Sequence, residues 1–241
     1  MPRKLEVFGH RKLQNSKQFS CAPKLEQVNL KRPHLKSEWF QFMDMRFSQK
    51  EIKDLFFAWI IISLAFAILF SGGLNFFSSI NKFIITLGIS AFTVGVGFLA
   101  HELMHKYYAQ KYRCWAEFRA FYNMLWLALV FSLFGFIFAA PGAVVIRGYL
   151  NKRQNGIISL AGPATNIVLA VIFLVPLFIL RPEGILNLFF SYGLTINALL
   201  ALFNMIPVAP FDGGKIYNWN KTIYTISILL ALGLFILSFI L

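Results

Sequence analysis

The sequence has 241 residues, 58% of them apolar and only 14% charged, with a formal net charge of +13. Soluble globular domains carry about 25% charged residues, so the composition excludes that class and places the chain in a membrane. The lysines and arginines cluster between apolar runs and form no basic groove with stacking aromatics, which excludes a nucleic-acid partner and reads instead as positive-inside topology.

Residues 1–47 are rich in Lys, Arg, Gln, Asn and Pro without periodicity, and are expected to form a basic, weakly structured cytoplasmic tail. No short apolar core stands there to mark a cleavable signal, so the first span should act as an uncleaved anchor. Cys21 and Cys114 both fall in segments expected on the reducing cytoplasmic side, and no disulfide is expected. Residues 48–241 read as one transmembrane domain. Ser48 followed by Glu51 has the form of a capping box that opens a helix running into the apolar stretch 55–70. A second run, 83–105, is long enough to cross ~30 Å of hydrocarbon. Further runs occupy 123–139, 156–180, 185–206 and 222–241. The run 123–139 is short, contains Gly135 and leads into Ala140-Pro141-Gly142 and a β-like stretch from Ala143 to Ile146. The fold class is therefore a mainly α polytopic bundle, with either five spans plus a re-entrant segment or six spans.

Six of the ten acidic residues precede Leu55, leaving Glu102, Glu117, Glu183 and Asp212 in the apolar remainder. Two of the four histidines flank Glu102 in His101-Glu102-Leu103-Met104-His105, at the end of the second run. Four residues apart on a helix, their rings project from one face and can share an ion, while Glu102 can reach a metal-bound water without binding the metal. Ionisable groups are costly in lipid and functional by default. Zinc with three protein ligands and an open fourth position is the catalytic arrangement, so a third ligand is required. No His follows at the spacing of the longer His-rich zincin motif, which leaves carboxylates. Glu117 is flanked by Arg113 and Arg119 and reads as an interfacial residue paired with its neighbours. Asp212 follows Pro207 and Pro210 and precedes Gly213 and Gly214, an irregular segment tolerable only where it lines a polar cavity, and is the better ligand.

These elements resemble the site-2 protease family of intramembrane metalloproteases. That family pairs a His-Glu-x-x-His helix with a distant Asn-x-x-Pro…Asp-Gly segment, here Asn204 to Pro207 with Asp212 and Gly213. Gly162-Pro163-Ala164-Thr165-Asn166 is similar to the family's Gly-Pro-x-x-Asn element on the intervening helix. The resemblance implies one Zn2+ per chain on His101, His105 and Asp212, and Glu102 as general base. It also implies that Asn204 contacts the substrate or the tetrahedral intermediate, although a polar group satisfied between packed helices is an equal reading of Asn204. A β-rich loop dipping into the membrane after the motif helix, where an extended substrate adds a strand, is a further implication. Gly162 and Asn166, like Gly88, Ser90, Gly95 and Gly97, are expected to serve close helix packing.

Topology supplies a constraint. With the tail inside, the second run returns His101 and His105 to the cytoplasmic side, and Asp212 reaches them only after an even number of further crossings. The runs at 156–180 and 185–206 provide two, so 123–139 should be re-entrant; that arrangement also keeps Arg147, Lys152, Arg153, Lys215 and Lys221 inside. The expected function is hydrolysis of peptide bonds in transmembrane or membrane-edge segments of membrane-protein substrates. The alternatives are a non-proteolytic zinc-binding protein or zinc transporter, and a membrane scaffold. A transporter would space its ionisable groups across the membrane, whereas these cluster at one depth.

Overall fold

The computed structural model describes residues 40–42, 45–137 and 141–241, and the expected tail at 1–47 lies largely outside the described residues. Cys21 lies outside them too, and Cys114 is buried. A short hairpin of β1 (Phe40–Phe42) and β2 (Met45–Phe47) opens the described chain, and Met45 and Phe47 already belong to the main core.

Helix α1 (Gln49–Phe70) starts where the Ser48 side chain accepts a hydrogen bond from the Glu51 backbone N–H at 3.2 Å. The reciprocal half of the expected capping box does not form, because the Glu51 carboxylate is taken by Lys106 Nζ at 2.8 and 2.7 Å. The second span runs Ile80–Lys111 as α2 (Ile80–Ser90), a π-helical turn (Ala91–Gly95) and α3 (Val96–Lys111). The turn frees the Ala91 carbonyl, which accepts from Trp59 Nε1 at 3.1 Å; Gly95 has no Cβ and so admits that indole.

Strand β3 (Trp115–Ala120), helix α4 (Tyr122–Leu133) and strand β4 (Gly142–Arg147) decide the status of 123–139. The strands pair antiparallel, with Ala120 opposite Gly142, and the Phe121 N–H donates to the Pro141 carbonyl. The chain between them therefore returns to the level it left. At 1.5 Å per residue the 12 residues of α4 rise only ~18 Å, far short of the hydrocarbon thickness, so α4 is too short to cross and fits the re-entrant alternative.

Helix α5 (Lys152–Leu180) opens with a complete capping box between Asn151 and Gln154. Helix α6 (Gly184–Asn204) packs back along it, Gly193 admitting the Phe173 ring. The irregular stretch 205–212 then leads into α7 (Gly213–Trp219) and α8 (Lys221–Leu237). Among the described residues four helical segments are long and apolar enough to cross a membrane, namely α1, Ile80–Lys111, α5 and α6. The expected run 222–241 is realised as α8, whose 17 residues rise ~25 Å. The chain is thus a mainly α, polytopic membrane protein with a small sheet. Val168, Ile172, Val175 and Phe178 on α5 and Ile226, Leu229 and Leu230 on α8 stay exposed, as lipid contact requires. The main core lies between α1, α3, β3 and α4, around Ile62, Phe66, Phe98, Phe118 and Leu125.

Candidate metal centre

Helix α3 carries His101 and His105 on one buried face, one turn apart, with ring centroids 4.6 Å apart. Each ring is held from behind. His105 Nδ1 lies 2.7 Å from the Ile158 carbonyl, and because a carbonyl only accepts, Nδ1 must be the donor. His101 Nδ1 lies 2.5 Å from Asn166 Oδ1. The Asn166 amide cannot be turned around, because its Nδ2 donates to the Gly97 carbonyl at 3.2 Å and to Asn197 Oδ1 at 3.0 Å. His101 Nδ1 is therefore a donor as well. In the neutral rings both Nε2 atoms are then left as lone pairs.

Those lone pairs face each other at 3.0 Å. Asp212 completes the group, with Oδ2 3.0 Å from His105 Nε2 and 3.7 Å from His101 Nε2. One donor atom from each of the three residues lies within 4.8 Å of the others, and all three residues are buried. Two nitrogen lone pairs and a carboxylate oxygen converging with no proton among them repel one another unless a cation sits between them. The donor set, two imidazoles and one carboxylate, suits zinc. The histidines have the outer-sphere partners usual for metal-bound imidazole, an amide and a backbone carbonyl on the far nitrogen.

The sequence places Asp212 here for local reasons. α6 ends at Asn204, and Gly213 lies so close to the Met205 carbonyl that a Cβ there would collide with it. α7 is anchored on α5, where Gly156 leaves room for Trp219. Lys215 Nζ donates to the second Asp212 carboxylate oxygen at 3.4 Å.

Gly162 closes the back of the centre, where a Cβ would strike Nε2 of both histidines. Glu102, buried beside His101, lines the same cavity of about 190 Å³ with Asn155, Ser159, Lys215 and the β4 residues Gly142, Val144 and Ile146. Asn204 lines this cavity too, with Nδ2 spent on the Leu200 carbonyl of its own helix at 2.9 Å. Glu117 is not brought to the centre; it is buried against Arg119.

Sequence reasoning missed the part played by Asn166 and Gly162, which do more than let helices approach. The available signal was the cost of an amide in the middle of an apolar helix, which demands a partner.

Comparison with known proteins agrees with this chemistry. The chain is 44% identical over 183 residues to the "Putative zinc metalloprotease" MJ0611 of Methanocaldococcus jannaschii, covering 75% of this chain and 90% of that protein. It is 31% identical over 142 residues to the like-named YwhC of Bacillus subtilis, covering 52% of this chain and 65% of that one. It is 30% identical over 130 residues to the like-named Rip3 of Mycobacterium tuberculosis, where the match covers 51% of this chain and 29% of the relative. No family model and no solved structure matches the chain.

Proposed function

This chain belongs to the site-2 protease family of zinc metalloproteases, and on that premise we propose that it is an intramembrane endopeptidase that cuts transmembrane or membrane-edge segments of other membrane proteins. One zinc ion per chain is assigned to His101, His105 and Asp212. The observation that carries the reading is the meeting of two imidazole lone pairs and a buried carboxylate in a cavity that also holds Glu102 and is edged by a strand.

Zinc, when bound, supplies a Lewis acid that activates water and polarises the scissile carbonyl. Glu102, next to the first ligand and outside the ligand set, takes the proton of the attacking water and returns it to the leaving amine. Asn166 and the Ile158 carbonyl keep both rings in the tautomer that offers Nε2. Asn204 donates to the substrate from the cavity wall once its bond to Leu200 is exchanged. Among the described residues β4 has one strand partner, β3, which leaves its other edge to an extended substrate segment whose backbone would pair with Gly142, Val144 and Ile146. A helical target must unwind locally to offer its carbonyl, and an edge that rewards the extended form lowers the cost of that unwinding. The lysines and arginines that follow α3 and flank β4 and α7 support a cytoplasmic orientation for the tail and the centre.

The test is cleavage of a panel of single-span reporters by the purified full chain in lipid nanodiscs, with and without a zinc chelator, alongside Glu102→Gln. The wild type should cut at least one reporter in a chelator-sensitive manner. The variant should keep its zinc and lose turnover by roughly 10²–10⁴-fold. Unchanged turnover removes Glu102 from the reaction, and a zinc-loaded wild type that cuts no reporter refutes the protease reading.

A further inference from the structure

Away from the centre, the most heavily built polar feature is an ion pair with no exposure at all. Lys106 Nζ and the Glu51 carboxylate are both fully buried. All three ammonium protons are used, on Glu51 Oε1 at 2.8 Å, Glu51 Oε2 at 2.7 Å and the Ala116 carbonyl at 2.9 Å. Glu51 Oε1 also accepts the Phe118 backbone N–H at 2.9 Å. Lys106 immediately follows the ligand position His105, and its ammonium lies 4.5 Å from the centre of the Phe47 ring. A buried pair of this kind is poor evidence of stability, because apolar side chains of equal volume do as well; fixing one arrangement among several is its better-attested use.

What it fixes is legible in the register. Ala116 and Phe118 stand opposite Ile146 and Val144, the β4 residues that line the cavity. Backbone groups of Ala116 and Phe118 point away from β4, on the outer edge of β3, and side chains cover that edge: Lys106 on the Ala116 carbonyl, Glu51 on the Phe118 N–H and Arg119 on the Phe118 carbonyl. One turn further along α1, Asp54 continues the clamp, accepting from the Tyr122 hydroxyl at 2.7 Å at the start of α4. An open strand edge is a template for pairing with another chain. Here one edge of the hairpin is closed by buried charges and the other faces the centre.

We propose that Lys106 and Glu51 are positioning residues: their ion pair closes the outer edge of β3 and holds the free edge of β4 at a set distance from His105, so that an extended substrate segment adds at β4 alone. The inference rests on the protease reading above, and supplies the part of it that selects where a substrate lies.

The experiment uses the full chain in nanodiscs and three variants: Lys106→Met, the neutral pair Glu51→Gln with Lys106→Met, and the reversed pair Glu51→Lys with Lys106→Glu. Zinc content, kcat and KM on a cleaved reporter, and amide hydrogen exchange across β3 and β4 are measured in each. The neutral pair should fold, keep its zinc and raise KM by roughly tenfold with kcat changed much less. Exchange at Ala116 to Phe118 and across β4 should quicken. The reversed pair restores charge balance but sets a carboxylate against the Ala116 carbonyl and an ammonium against the Phe118 N–H, so it should not rescue KM. Rescue by reversal would make the pair a stability device and overturn the proposal, as would hairpin exchange that stays at the wild-type rate in the neutral pair. If the wild type cuts nothing while hairpin exchange responds as expected, the protease reading fails and the clamp stands.

Discussion

Replacing Asn166 by Ala isolates the contribution of ring orientation to the centre, because Asn166 touches a proposed ligand but not the ion position. The substitution removes an acceptor 2.5 Å from His101 Nδ1 and two donations, to the Gly97 carbonyl and to Asn197 Oδ1. Loss of such an outer partner costs about 10–100-fold in metal affinity, equivalent to ~1.4–2.7 kcal/mol. A separate cost falls on the apo fold: His101 Nδ1 and Asn197 Oδ1 are left buried and unpaired, at ~1–3 kcal/mol each. Asn166→Asp separates the two effects, since it keeps an acceptor for His101 and loses both donations. Zinc competition against a chromophoric chelator should therefore show Asn166→Ala weakened by about one to two decades and Asn166→Asp close to wild type, while both melt early. Wild-type zinc affinity in Asn166→Ala, or equal weakening in the two variants, would refute the assignment of His101 Nδ1 as the donor and with it the lone-pair argument for the centre.

Gly162→Ala adds one methyl group behind the ligands, where it would strike both Nε2 atoms, so zinc occupancy by metal analysis should fall steeply although no ligand is altered. Gly156→Val should act at longer range: it pushes Trp219 and α7 off α5 and draws Asp212 away, weakening zinc binding while leaving Glu102 in place. Zinc removal by chelation should abolish turnover and lower the melting temperature by on the order of 10 °C, the shift expected when free metal stands near a thousand times its dissociation constant. Glu102→Gln should show the same shift, and Asp212→Ala should show none.

His101, His105 and Asp212 stand out in the sequence because ionisable side chains are rare in this composition and the prolines and glycines around Asp212 announce irregular backbone that lipid does not tolerate. The parity of crossings favours a re-entrant 123–139, and the pairing of Ala120 with Gly142 brings the two ends of that segment together. Glu51 is only half legible by local rules: the Ser48 half of the capping box forms, but a contact with Lys106 spanning 55 positions takes the Glu51 carboxylate. Asn166 announces only that it needs a partner: a small amide on a membrane helix carries the same signature whether it packs, bonds a neighbouring helix or orients a ligand. The π-helical turn at Ala91–Gly95 has no sequence mark beyond the glycine that lets Trp59 approach.

The two imidazoles and the carboxylate that face one another are delivered at different times. When His105 leaves the ribosome, α5, α6 and the Pro-rich stretch that presents Asp212 do not yet exist. Asn166 and the Ile158 carbonyl, which orient the rings, arrive with α5, and the last donor follows only after α6 has been inserted. A nascent chain therefore has no complete set of donors until the irregular stretch after α6 has emerged, and the centre matures only with the last part of the fold.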